Sequence, residues 1–313
     1  MRTRGVALII AVVAVAIIAA LATQVSTFTL LDESRVATLL SADAAAQISL
    51  GAEGLAAETL KQIVLNSPNQ INFSQGWAIP QTLPYTDGVI AVRIEDLQGR
   101  INLNNVVNSN GSPNEVVIAQ LKRLFVINQV DPRVVDKLVD WIDSDNLPYG
   151  SDGAEDDVYL RLDSPLRPAN HPITSVSALR YLPGMDAQQF ERIKPFVSAL
   201  PPGTKLNVCT ARAAVLASLA DGFTTFSQDE QALNVQRRTG CFPQLKDLAP
   251  QLASAVGNAA LSAQIQNNLA ESSNYFRIQS TITRGTFTLR TYSVLNVGAD
   301  GAVVVLRRSV GWD

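Results

Sequence analysis

The stretch Met1-Arg2-Thr3-Arg4-Gly5, followed by VALIIAVVAVAIIAALA over 6–22 and TQVSTFTLLDESRVATLLSADAAAQISLGAEGLAAETLKQIVL over 23–65, decides the fold. The apolar run from Val6 to Ala22 would form a helix of about 26 Å, close to the roughly 30 Å hydrocarbon core of a bilayer. Arg2 and Arg4 predict a cytoplasmic N-terminus and export of the chain beyond the apolar run. Three readings fit these residues: a cleaved signal with a small-x-small site such as Ala20-Leu21-Ala22, a plain signal anchor, or the first half of a longer helix. The downstream residues favour the third. No proline occurs between Gln24 and Leu65, and Leu30, Leu31, Val36, Leu39 and Leu40 recur at helical spacing. Leu55, Leu60, Ile63 and Val64 continue the stripe, while Gly51 and Gly54 weaken the helix locally. One helix over 6–65 would measure about 90 Å.

The 313 residues carry a net charge of -3, which argues against nucleic acid as the main partner because phosphate binding needs a basic surface. One histidine, His171, and no GxSxG elbow leave no Ser-His-Asp machinery. In Asn170-His171-Pro172 it reads as a loop residue. The two cysteines, Cys209 and Cys241, lack the spacing of a metal motif.

Further along, Gly88–Glu95 alternates as a strand, and Asp96–Asn104 reads as a turn with a short extended piece. Ser112-Pro113-Asn114-Glu115 predicts a capping box with proline at the first helical position, and Asp131-Pro132 opens a second helix in the same way. Ser175–Leu182 and Ala187–Val197 predict a helical hairpin, with Asp186 and Gln189 capping its second arm. It reads either as a structural hairpin or as a helix-hairpin-helix DNA module. Its charges, Asp186, Glu191, Arg192 and Lys194, are mixed, which favours the structural reading. Leu206–Leu219 and Gln244–Leu269 predict further helices. Tyr275–Thr283, Thr286–Val297 and Ala302–Val310 predict three closing strands.

Seven carboxylates crowd the segment from Asp140 to Leu160: Asp140, Asp143, Asp145, Asp152, Glu155, Asp156 and Asp157. Two like charges 5 Å apart repel by about 3 kcal/mol at an effective dielectric of 20. The cluster is therefore either spread in water or filled by cations. Trp141, Ile142, Leu147, Pro148 and Tyr159 are interleaved with it, so parts should be packed. Oxygen ligands without Cys or His select calcium or magnesium. Leu147 and Pro148 break the EF-hand spacing. A hydrolytic metal site is a further reading of the same residues.

The order of these motifs resembles the pseudopilin K family of type II secretion systems. The likeness is carried by the basic leader ending in glycine, "GRINLN", "DWIDSDNLPYGSDGAEDDVYL" with "ANHP" and "ALRYLPG" behind it, and "NVCTA". The resemblance implies an α+β fold: a pilin-like long N-terminal helix plus an antiparallel sheet, with a large inserted all-α domain. It divides the chain into a leader peptide (1–5), a transmembrane part (6–22), a pilin-like body (23–104), an inserted α-domain (105–272) and returning strands (273–313). It implies cleavage by prepilin peptidase after Gly5, leaving Val6 as the mature N-terminus. Most pilin-like chains carry Glu at mature position five; here Ile10 stands there, as in pseudopilin K. A carboxylate inside a bilayer is costly unless paired, so a chain without it suits the first subunit laid down.

The resemblance further implies a structural calcium site of one or two ions, with Asp143, Asp145, Glu155 and Asp156 as main ligands and Asp140 and Asn170 as weaker ones. It implies a non-enzymatic minor pseudopilin that initiates or caps the pseudopilus tip for export of folded proteins across the outer membrane. The expected partners are minor pseudopilins I and J, packing on Leu30, Leu31, Val36, Leu39, Leu40, Ile63 and Val64. The expected location is the bacterial inner membrane, single-pass, with the C-terminal domain in the periplasm and no nucleic-acid partner. The alternative is a membrane-anchored helix-hairpin-helix DNA-binding or uptake module. Export would place Cys209 and Cys241 where disulfides persist, closing a loop of about 30 residues at roughly 3 kcal/mol. Two buried free thiols are the other reading, and because the family often reads "NVNTA" a bridge would be local to a subgroup.

Overall fold

The computed structural model describes residues 5–85, 88–224, 229–285 and 287–311, together with the backbone of residues 3 and 4. Met1 and Arg2 of the expected leader and Thr286 of an expected strand lie outside the described residues.

Helix α1 runs unbroken from Thr3 to Asn66 and contains the one described helix long and apolar enough to cross a membrane. Thr23, Thr27, Thr29 and Thr38 hide their hydroxyls by donating to carbonyls four residues back. The apolar side chains from Val6 to Leu40 are exposed. From Ala45 the helix gains a buried face, with Ala52, Ala56, Leu60 and Val64.

Strands β1 (Gln81–Tyr85) and β2 (Gly88–Asp96) form a hairpin. The chain then leaves the sheet. It passes through β3 (Ile101–Asn102), α2 (Glu115–Ile127), α3 (Val134–Ile142), α4 (Asp156–Tyr159) and α5 (Ala187–Ile193). Next come β4 (Val197–Ser198), β5 (Leu206–Asn207), α6 (Ala213–Ala217), α7 (Glu230–Gln236), α8 (Leu245–Val256), α9 (Ala259–Asn267) and β6 (Leu269–Ala270). It returns as β7 (Tyr275–Arg284), β8 (Phe287–Val297) and β9 (Val303–Val310). The large sheet is antiparallel in the order β1-β2-β7-β8-β9. This is the α+β arrangement with a large helical insertion.

Two cores result. In the first, Leu60, Val64 and Trp77 pack on Phe276, Ile278, Leu295 and Val297, so α1 closes one face of the sheet. The second lies within the insertion and is built from Leu103, Leu121, Phe125, Leu138, Val215 and others between Ile101 and Leu269. Leu97, Leu200 and Val294 make a small bridge between them. Glu53 pins α1 to the far strands: Arg308 donates to both its oxygens at 2.9 and 2.8 Å, and Ser293 donates to one of them. Arg308 therefore holds the Glu53 carboxyl below the usual range, against the opposing effect of burial.

Several local expectations need correction. Of the residues expected at a partner interface, Val64 is instead buried in the first core and Ile63 is half-buried against it, because the last turns of α1 rest on the chain's own sheet. The cap of α2 is Asn114, whose Oδ1 accepts from Val117 N at 3.3 Å, not Ser112. Helix α3 begins only at Val134, because Asp131 turns onto the N–H and guanidinium of Arg133. Leu206–Leu219 is helical only at α6. Asn207 is held in extended backbone, with Leu206 N donating to Asn268 O and Val208 N to Ala270 O. Gln244–Leu269 is broken at Gly257, which adopts φ 64, and Asn258 caps the new helix.

Candidate functional site

Helix α3 delivers the acidic loop. Val134, Val135, Leu138, Val139 and Ile142 anchor it in the second core, and the helix ends with Asp143 at its C-cap. Asp140 organises the loop beyond the helix end: Oδ1 accepts from Tyr149 N at 2.8 Å and Oδ2 from Ala154 N at 2.5 Å. Two carboxylate bonds thus fold the loop back onto the helix. Gly153 is required for this fold, because a Cβ there would meet the Asp140 carboxylate and lie 2.6 Å from Tyr149 N. Beneath the loop Trp141 stacks on Tyr181 at 5.9 Å and meets the edge of Tyr159 at 5.3 Å.

The fold brings Asp143, Asp145 and Glu155 together, each placing a carboxylate oxygen within 4.8 Å of the others. Asp145 is exposed; Asp143 and Glu155 are buried. Asp143 Oδ1, both Glu155 oxygens and Asn170 Oδ1 are buried without a hydrogen-bond partner among the described residues. Asn170 reaches this region by donating its N–H to Trp141 O at 3.0 Å, with φ 50. Burial, followed by repulsion from Asp145 and Asp140, pushes the Asp143 carboxyl up to about 7. Burial and the neighbouring aspartates do the same to Glu155, also to about 7, and burial raises Asp140 to about 6. Asp156 is not among the three residues whose oxygens converge: its carboxylate pairs with Arg167 at 3.1 Å, although its charge still adds to the repulsion that raises Glu155. Asp152 meets Ser151 and Asp157 meets Arg161.

The orphaned oxygens test whether a hard cation fits here. A carboxylate buried without donors is costly, and these oxygens lack any from the protein's described residues. An oxygen-rich set without Cys or His matches calcium chemistry. Asp143, Asp145 and Glu155 fit as ligands, Asn170 adds a buried oxygen without a partner on a backbone tied to Trp141, and Asp140 fits as the residue that shapes the loop.

The hairpin residues are absorbed internally. Lys137 donates to Pro183 O at 2.8 Å, Arg192 to Gln129 O at 3.2 Å, and Arg180 and Lys194 lie over the Phe190 ring. His171 is exposed and its Nδ1 lies 2.9 Å from Pro172 O.

Sequence reading missed a second buried carboxylate, at the junction of the two cores. Asp96 Oδ2 accepts from Asn207 Nδ2 (3.0 Å), Thr210 Oγ1 (2.6 Å) and Ser273 Oγ (2.6 Å), and Oδ1 accepts from Gln98 N. Asn207 Nδ2 also reaches Ile71 O, so one amide joins four segments. Gly99 approaches so closely that a Cβ would stand 2.8 Å from Thr210 O. The "GRINLN" and "NVCTA" phrases therefore meet in space. No spacing in the sequence could have shown that. Cys209 and Cys241 form a disulfide beside this knot. Arg237, buried, spans both arms by donating to Val208 O and Phe242 O, and burial lowers its guanidinium to about 10.

Comparison with known proteins agrees in both sequence and shape. The family described as "Type II secretion system (T2SS), protein K" matches residues 99–202. The "Type II secretion system protein K" of Pseudomonas aeruginosa is 33% identical over 277 residues, covering 84% of this chain and 79% of that protein. That of Pectobacterium carotovorum subsp. carotovorum is 29% identical, covering 99% of this chain and 98% of the relative. Among solved structures, a chain of the "GspK-GspI-GspJ complex from enterotoxigenic Escherichia coli Type 2 Secretion System" aligns with a TM-score of 0.77 at 27% identity. That alignment covers 89% of this chain and 100% of the other.

Proposed function

This chain belongs to the type II secretion system protein K family and is a minor pseudopilin, and we propose that it initiates or caps the pseudopilus tip. The observation that carries this reading is the likeness to a chain solved in complex with proteins I and J, over that chain's whole length. Minor pseudopilins I and J of the same system are accordingly its partners. Prepilin peptidase cleaves after Gly5, so that Val6 leads the mature chain. The apolar part of α1 sits in the inner membrane as a single pass, and the sheet and insertion stand in the periplasm. We read 23–104 and 273–313 as the pilin-like body and 105–272 as the domain inserted in it. The role is architectural, not enzymatic.

Calcium belongs to this reading as a structural ion. Asp143, Asp145 and Glu155 would hold it, with Asn170 and backbone carbonyls or water completing a shell of six to eight oxygens. Bound there, the ion supplies positive charge to carboxylates that the protein buries without donors. Asp140 and Gly153 act earlier, shaping the loop so that Glu155 comes back beside Asp143.

The test uses the full-length chain in detergent with full-length pseudopilins I and J from the same organism. Light scattering on a sizing column gives the complex mass. A defined heterotrimer is the expected result. Three separate species, with and without calcium, would overturn the tip assignment while leaving family membership intact.

A further inference from the structure

The two cores touch through the small bridge of Leu97, Leu200 and Val294. Beside that bridge, at the seam between insertion and sheet, lies a cavity of about 340 Å3. Ligands favour such seams, and this volume falls at the small end of the roughly 300–1,000 Å3 of ordinary ligand pockets. Asn104 fixes two of its walls: Nδ2 donates to Ile173 O at 2.9 Å and to Leu200 O at 2.8 Å, and Oδ1 accepts from Ile173 N at 2.8 Å. The cavity is therefore preformed, and filling it needs no reordering of these walls.

Its depth is apolar, with Phe190, Val197, Leu200 and Val294 all buried. Its charge is of one sign. Arg100, Lys194, Arg277 and Arg307 line it and none of the described lining residues is acidic, in a chain whose net charge is -3. Arg100 and Arg277 both donate to the single carboxylate of Glu95, and Arg307 donates to Thr174 O. Lys194 lies over the Phe190 ring at 5.7 Å and makes no ion pair or hydrogen bond with the described residues. Ser198 also lines the cavity. It is 2% exposed, and its Oγ is buried without a hydrogen-bond partner among the described residues. Buried polar groups ordinarily have partners, and this one stands in the wall of a cavity that favours anions.

We infer that this cavity binds the C-terminal residue of a polypeptide, with the apolar side chain in the depth and the carboxylate among Lys194, Ser198 and the arginines. Charge selects an anion, and the planar guanidinium suits a carboxylate. The apolar depth selects an anion with an apolar body, since a bare inorganic ion would lose its hydration against walls that give nothing back. Size and rim select a peptide over a long acyl chain. The cavity is short, and Thr174 and Ser177, exposed where it opens, carry hydroxyls able to bond the amide of a preceding residue. A terminus held this way touches the insertion through Lys194 and Ser198 and the sheet through Arg277 and Arg307, so its binding also joins the two. The inference is independent of the assembly reading above.

Ser198 separates folding from binding. The test uses the full-length chain in lipid nanodiscs, where no free detergent tail competes, and calorimetric titration with acetyl-Ala-Leu as the free acid, with its C-terminal amide, and with octanoate. The free acid is expected to bind saturably and the amide at least about tenfold more weakly. Lys194→Gln should weaken binding of the acid by about tenfold and leave that of the amide unchanged. Ser198→Ala is expected to melt at or above the wild-type temperature, because it removes a buried hydroxyl without a partner, yet to bind the acid about threefold more weakly. Equal binding of acid and amide, or no saturable binding of the acid, would overturn the inference. So would unchanged affinity in both variants, which would put the acid elsewhere on the chain. Tighter binding of octanoate than of the dipeptide would reject the peptide terminus in favour of a fatty carboxylate. A Ser198→Ala protein that loses stability while keeping its affinity would assign the hydroxyl to the fold and overturn its role in binding.

Discussion

Asp96 and Glu155 are both buried carboxylates, 8% and 4% exposed, yet the chain treats them in opposite ways. Around Asp96, two hydroxyls, a side-chain amide and a backbone N–H converge. Around Glu155, neither oxygen has a hydrogen-bond partner among the described residues, and the carboxylates of Asp143 and Asp145 stand within 4.8 Å. Burial raises both groups above their ordinary range. The difference is in what opposes it: donors built into the fold at Asp96, and at Glu155 none among the described residues. A buried carboxylate supplied with donors is architecture complete in itself. One supplied with like charges is, on the calcium reading proposed above, half of a site.

The strongest way to break this contrast is to remove divalent ions. At a thousandfold excess over its dissociation constant a bound ion contributes about 4 kcal/mol. Chelation should lower the melting temperature of the insertion and expose its loop 143–170 to hydrogen exchange, while β7 and β8 stay protected. A melting curve unmoved by EDTA would return the acidic loop to the status of a solvated turn. Next in size is Asp96→Ala, which leaves several buried donors unanswered and should cost roughly 3 kcal/mol. The loss should be the same with calcium or with EDTA, and dependence on the ion would mean the two sites are not independent. The smallest effect sharpens the comparison with a third carboxylate that does have a cation. Arg308 holds Glu53 below the ordinary range, so Glu53's contribution is fully present above the unfolded value, about 4.3. It fades as pH falls through the lower folded value. Glu53→Gln should cost about 1 kcal/mol or less at neutral pH, Arg308 being half exposed. Denaturant curves of the two proteins should converge in acid, and a constant gap at all pH values would assign the effect to packing.

Much of the body was legible because its signals are long or repeated. The apolar run and its amphipathic continuation foretell α1, and the alternation in 88–95 and 275–310 foretells four of the five strands. Strand β1 was not foreseen, since a five-residue edge strand containing Pro84 carries no pattern. Leu206–Leu219 misled because its alanines suit a helix, while Asn207 is claimed by a buried network whose other members lie elsewhere in the chain. At the acidic loop the residue types were readable and the set was not. Glu155 and Asp156 are neighbours in sequence, and only the return path imposed by Asp140 and Gly153 decides which of them meets Asp143. Glu53 looks like any helix glutamate until Arg308 is folded against it.

The insertion leaves the sheet after β2 and returns before β7, although β2 and β7 are neighbours, and the bonded pair Asp96 and Ser273 are 177 positions apart. If the insertion were a loose tether, joining its ends would cost about 4–5 kcal/mol in closure entropy. A folded insertion has already brought those ends together. The finished sheet is thus thermodynamically tied to the condition of a segment that lies outside it. Any neighbour that recognises only a closed sheet is thereby inspecting the insertion as well, and a subunit with an unfinished insertion is screened out at the sheet.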